Sequence, residues 1–153
     1  RPAGYKQQIF DELARIGSLV PEKVELGYHL CYGSPADEHL IMPKDMAILL
    51  EISNGITSRL SRRLDFLHLP VPKDRTDAGY FEPLRSLSVP ESTEVMLGLI
   101  HYDDAQGDAA RINTASDFLE SFGVATECGW GRTDPARLNG LLESHVRAAG
   151  SGG

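Results

Sequence analysis

A histidine and a cysteine two residues apart, His29 and Cys31, have the spacing best suited to chemistry in this chain. Residues i and i+2 of a strand share a face, so an imidazole and a thiolate at these positions can reach one metal ion. Zinc takes nitrogen and sulfur ligands at roughly 2.0–2.3 Å, and a third ligand from Cys128 would give a Cys2His set with one position open. Such a position can hold a substrate thiol and lower its pKa. The plainer reading makes Cys31 and Cys128 ordinary buried thiols. His101 titrates near neutrality and could shuttle a proton, or it could be a structural histidine bonded to Asp103 or a loop carbonyl. His68 could be a fourth ligand, a substrate contact or a core histidine. Trp130 could line a substrate pocket or simply pack. Arg132 could clamp a carboxylate through two hydrogen bonds, or pair with Asp134.

These residues gather at the ends of predicted strands. Tyr5, Ile9, Phe10, Leu13 and Ile16 recur at helical spacing, with Gly17 read as a C-terminal glycine cap. The first strand is predicted over Lys23 to Tyr32, with Leu26, Tyr28, Leu30 and Tyr32 on one face and Gly27, His29 and Cys31 on the other. A loop through Ser34, Pro35 and Asp37 leads to a helix from Pro43 to about Arg63, its last turn carrying the solvated Arg59, Arg62 and Arg63. A strand over Leu64 to Pro70 follows, then a long polar stretch, Lys73 to Pro90. Next come a strand over Thr93 to His101, a helix over Asp108 to Phe122 and a strand over Gly123 to Cys128. Phe66, Leu97 and Leu99 are read as facing inward. Glu127 is expected at the rim, or the strand bends before Gly129. Thr133-Asp134-Pro135 is a strong start for the last helix.

Strands alternating with helices mean parallel βα units and an α/β fold. Four units make half of an eight-stranded barrel, in which chemistry sits at the C-terminal strand ends; an open four-stranded sheet is the alternative. There is no glycine-rich phosphate fingerprint. Residues 1–147 are read as one domain and residues 148–153 as a flexible tail. Lys and Arg total 15 against 22 Asp and Glu, a net charge of -7 that argues against a nucleic-acid or acidic-membrane partner. Two cysteines cannot build a disulfide scaffold. With no membrane-length apolar run and no signal peptide, a cytoplasmic location is expected. The chain starts at Arg1, which suggests a processed or truncated piece of something longer.

Tyr28-His29-Leu30-Cys31-Tyr32 resembles the His-x-Cys zinc motif in the C-terminal barrel of cobalamin-independent methionine synthase. Glu127-Cys128-Gly129 resembles the Asp-Cys-Gly segment with that family's last zinc cysteine. Gly98-Leu99-Ile100-His101 falls where the family has a histidine after the penultimate barrel strand. The resemblance runs from about Val24 to Leu142, near the methionine synthase and uroporphyrinogen decarboxylase-like superfamily. It implies the C-terminal half, strands five to eight, of a (β/α)8 TIM barrel. It also implies His29, Cys31 and Cys128 as zinc ligands and His101 as a proton donor. The family's fourth ligand, a glutamate, corresponds here to Pro70. Glu51 has a similar spacing from Cys31 but falls inside a helical pattern.

The leading expectation is zinc-dependent methyl or alkyl transfer to a thiol. The second is a metal-free, decarboxylase- or lyase-like barrel enzyme using His101 and His68, with Arg132 holding a carboxylate. The third is a non-catalytic half-barrel that serves as an assembly piece. Expected partners are a small thiol or carboxylate substrate and either a separate N-terminal barrel half or a second copy of the chain.

Overall fold

Strands β1 (Gly27–His29), β2 (Phe66–Pro70), β3 (Glu94–Ile100) and β4 (Gly123–Thr126) form one sheet in the order β1-β2-β3-β4. Every neighbouring pair is parallel. Helices α1 (Tyr5–Ser18), α2 (Ala47–Thr57), α3 (Ala78–Phe81), α4 (Ala105–Ser116) and α5 (Leu138–Gly150) accompany them. The computed structural model describes residues 4–33 and 41–150, so the loop expected at Ser34 to Asp37 lies outside the described residues. Parallel neighbours require crossovers. Helices in those crossovers produce the α/β architecture, with strand order following the chain without reversal.

The register places Gly27 beside Phe66, His29 beside His68, and His68 beside Met96, all on one face. Leu67, Leu69, Val95, Leu97 and Leu99 take the other face, in one buried cluster with Met46, Leu49, Leu50, Tyr80, Phe81 and Leu84 from the crossovers. Leu97 and Leu99 therefore do not share the face of Phe66, as their sequence suggested; Met96 does. The run Leu97-Gly98-Leu99-Ile100 is apolar throughout and carries no alternation from which to read parity. Phe66, His68 and Met96 remain only half-buried.

Other expectations shift for physical reasons. Helix α2 stops at Thr57; Arg59 and Arg63 are exposed as expected, with Arg59 donating to the Gly55 carbonyl in the last turn of the helix, but Arg62 is not. The Arg62 side chain is 3% exposed beside Asp65, and its guanidinium donates to the carbonyls of Val20, Pro21 and Val24. Arg63 also pairs with Asp65, and Arg59 with Asp11. Gly17 lies within α1, where a Cβ would collide with the Tyr28 hydroxyl; it permits close approach rather than a left-handed cap. Helix α5 runs through Gly150, past the expected boundary at residue 148, and residues 151–153 lie outside the described residues. The capping chemistry read at Asp134 is present, with its carboxylate accepting from the Ala136 N–H and Pro135 at the first position, but it starts a 3-10 turn, Pro135–Arg137, that leads into α5 at Leu138. Among the described residues, no helix is long and apolar enough to cross a membrane.

Arg111 carries no sequence signal of burial, yet it is fully buried. It donates to the carbonyls of Leu99 and Lys73 and faces Asp104 at 2.8 Å and Asp108 at 2.6 Å. The Asp108 carboxylate also accepts from the His101 N–H at 3.0 Å. This cluster joins the end of β3, the segment after β2 and helix α4.

Candidate metal centre

Strand β1 is shorter than the expected Lys23 to Tyr32, spanning only Gly27–His29, but the alternation continues through its flanking residues, so that Leu26, Tyr28, Leu30 and Tyr32 pack against the core. His29 and Cys31 are left exposed. Tyr28 secures this by donating its hydroxyl to the Leu13 carbonyl at 2.6 Å. Gly33 takes a left-handed φ of 85°, and its N–H donates to Cys31 Sγ at 3.3 Å.

Cys128 arrives from the opposite edge of the sheet. Strand β4 ends at Thr126, so Cys128 lies past the strand and its direction does not follow strand parity with Val124 and Thr126. The Thr126 hydroxyl donates to the Cys128 carbonyl at 2.8 Å, closing a turn. The β3–β4 register shifts between Leu97 and Ile100, an irregularity of the kind that re-aims a strand end. A Cβ at Gly98 would lie 2.7 Å from Glu127 Cα and 3.0 Å from the Thr126 carbonyl oxygen, so the turn runs against the bare backbone of β3. Gly98→Ala is expected to cost about 1–3 kcal/mol, because backbone must move to admit the methyl group. It should also weaken metal binding at Cys128; thermal unfolding together with chelator competition checks both.

His29, Cys31 and Cys128 thus come together, their ligand atoms all within 4.8 Å of one another. His29 Nε2 is 3.7 Å from Cys128 Sγ. Both cysteines are free thiols. His68 lies alongside, with Nδ1 2.9 Å from His29 Nδ1 and Nε2 2.9 Å from the Thr126 carbonyl oxygen. Burial lowers the pKa of both imidazoles, and the proximity of His29 lowers that of His68 further. Both shifts favour the neutral ring, the state metal ligation requires.

A pocket of about 160 Å³ adjoins Cys128, lined also by His101, Glu127, Trp130, Thr133 and Arg137. The Trp130 indole N–H donates to the Thr126 hydroxyl at 2.8 Å, and its ring meets His145 edge-on. Arg132 contributes backbone to the turn Trp130–Arg132; its side chain lies outside the described residues. Burial pushes the Glu127 carboxyl up to about 7 against the opposing charge of Arg111. The bend expected before Gly129 is present, and Glu127 turns inward with it. Pro70, where the resembling family has a glutamate, ends β2 buried beside Gly98. Glu51 lies in α2, paired with Lys6 at 2.7 Å. Thr126, the hub joining His68, Trp130 and the turn to Cys128, carries no motif that would identify it from sequence.

His101 Nε2 donates to the Val71 carbonyl at 2.9 Å. Burial, reinforced by the charge of Arg111, lowers its pKa from 6.5 to about 4. The unfolded chain therefore takes up a proton at this residue near pH 6.5, which the folded chain refuses until about pH 4. The resulting stability is complete above pH 6.5 and declines by about 3 kcal/mol as pH falls through that window. Urea unfolding at pH 7 and pH 4.5 should show a smaller loss on acidification in His101→Gln than in the wild type. An equal loss in both would remove this role for His101.

Compared with known proteins, the chain matches no family model, no curated protein and no solved structure.

Proposed function

We propose that this chain binds zinc and takes part in transferring a methyl or other alkyl group to a thiol, the activity implied by its resemblance to cobalamin-independent methionine synthases. The supporting observation is the convergence of His29, Cys31 and Cys128 from the two edges of the sheet. Tetrahedral zinc separates a nitrogen and a sulfur ligand by about 3.6 Å; His29 Nε2 and Cys128 Sγ are 3.7 Å apart. The donor set fits the ion. With Pro70 in place of the family's glutamate, three protein ligands leave a position open, the arrangement of catalytic zinc sites. Bound there, zinc would keep an acceptor thiol ionised at neutral pH.

The chain's own residues prepare the site. The Gly33 N–H donates to Cys31 Sγ and fixes where that sulfur points. Trp130, Thr133 and Arg137 supply an apolar ring, a hydroxyl and a cation to the pocket beside Cys128, groups suited to a small polar substrate. His101 lines the same pocket as a neutral ring at pH 7, which is not the imidazolium needed to protonate a leaving group.

The same proposal covers assembly and location. Four parallel strands in chain order, with core packing on one face and Phe66 and Met96 half-bare on the other, suit half of a (β/α)8 barrel. All-parallel sheets are ordinarily covered on both faces, and open edges invite pairing. A separate chain with the remaining units, or a second copy, would close the barrel; light scattering of the native protein distinguishes these states from a monomer. Free ligating thiols suit a reducing compartment such as the cytoplasm.

The test of function is cobalt substitution followed by titration with a small thiol. The reading expects sulfur-to-cobalt charge transfer from two cysteines, rising as the added thiol takes the open position. A spectrum unchanged by added thiol would defeat the alkyl-transfer reading.

A further inference from the structure

The partners of His68 determine where its proton sits. The Thr126 carbonyl can only accept, so His68 Nε2, 2.9 Å away, carries the hydrogen. In a neutral imidazole the other nitrogen is then a bare acceptor. His29 Nδ1 lies 2.9 Å from that acceptor and must donate to it, since two facing lone pairs would repel. His29 is thereby the Nδ1–H tautomer, with its lone pair on Nε2. That is the nitrogen facing Cys128 Sγ at 3.7 Å.

We propose that His68 is the positioning residue of this donor set. It holds His29 in the tautomer that offers Nε2 to a metal, and through Thr126 it ties that imidazole to the turn carrying Cys128. The inference rests on the zinc reading of the site. Metal-ligating histidines ordinarily give their second ring nitrogen to an outer partner that sets tautomer and orientation. Here one ring performs that task for a donor from β1 and also bonds the backbone of β4, two strands away in the sheet. The His29 and His68 ring centroids lie 4.6 Å apart. Both His68 nitrogens are engaged, which leaves neither for a substrate or a fourth coordination bond.

Two variants and two readouts test this. His68→Gln retains an acceptor for His29 and a donor for Thr126 on one amide, whereas His68→Leu removes both. In the metal-free protein, nitrogen-15 NMR of the imidazoles should place the His29 hydrogen on Nδ1 in the wild type and in His68→Gln. It should move to Nε2 in His68→Leu. In zinc competition against a chromophoric chelator, His68→Leu should bind roughly 10–100-fold more weakly than the wild type, with His68→Gln close to the wild type. A wild-type His29 carrying its hydrogen on Nε2, or a His68→Leu zinc affinity equal to that of the wild type, would overturn the proposal. A wild-type protein with the Nδ1–H tautomer that takes up no zinc would support the relay and defeat the zinc reading alone.

Discussion

Changing Cys31 and Cys128 together to serine is expected to abolish zinc binding, from one ion per chain to a level below detection by elemental analysis. Structural zinc sites contribute about 10–16 kcal/mol over four ligands, so one lost thiolate should cost roughly a quarter of that, about 3 kcal/mol. Each single substitution, Cys31→Ser or Cys128→Ser, should therefore weaken binding about a hundredfold. The double variant leaves His29 as the only member of the donor set. Its fold should survive: Cys31 is exposed, Cys128 is half-exposed, and surface substitutions of this kind usually change stability by about 0.5 kcal/mol or less. Urea unfolding of the metal-free forms checks this. Stoichiometric zinc in a folded double variant would place the metal elsewhere. Affinity should also fall as pH drops, because the thiols must lose their protons to bind.

Arg111→Ala should produce a large loss of stability. The guanidinium is fully buried and answers two carboxylates and two carbonyls. Removing one partner of a buried ion pair costs about 3–5 kcal/mol, because the remaining charge is left without compensation. For a chain of this size that corresponds to a melting temperature lower by roughly 10 °C. Asp108 would suffer most: its side chain is 7% exposed, against 24% for Asp104, which can turn to water. Arg111→Met with Asp108→Asn should recover part of the loss. It removes the stranded charge, and the amide oxygen can still accept the His101 N–H. Equal stability of Arg111→Ala and the wild type would mean that the cluster contributes nothing net. Calorimetry on the three proteins decides this.

Local periodicity was enough to determine several features from sequence. Alternation from Leu26 to Tyr32 put His29 and Cys31 on one face because side-chain direction in a strand has period two, whatever the strand packs against. The alternation of strands with helical stretches led to parallel βα units, and Asp134-Pro135 marked a helix start by its own capping chemistry. Tertiary structure decided what local pattern cannot encode. Strand β3 is apolar on both faces from Val95 onward, so only packing could put Leu97 and Leu99 in the core and Met96 beside His68. Cys128 reaches His29 because the turn after β4 passes over the bare backbone of Gly98, and a turn's direction depends on what it rests against. The sequence places Arg62 in solvent, singles out nothing at Arg111, and leaves His68 open between ligand, substrate contact and core. The backbone carbonyls that satisfy them exist at every position in the sequence, and only folding selects which ones face a given side chain.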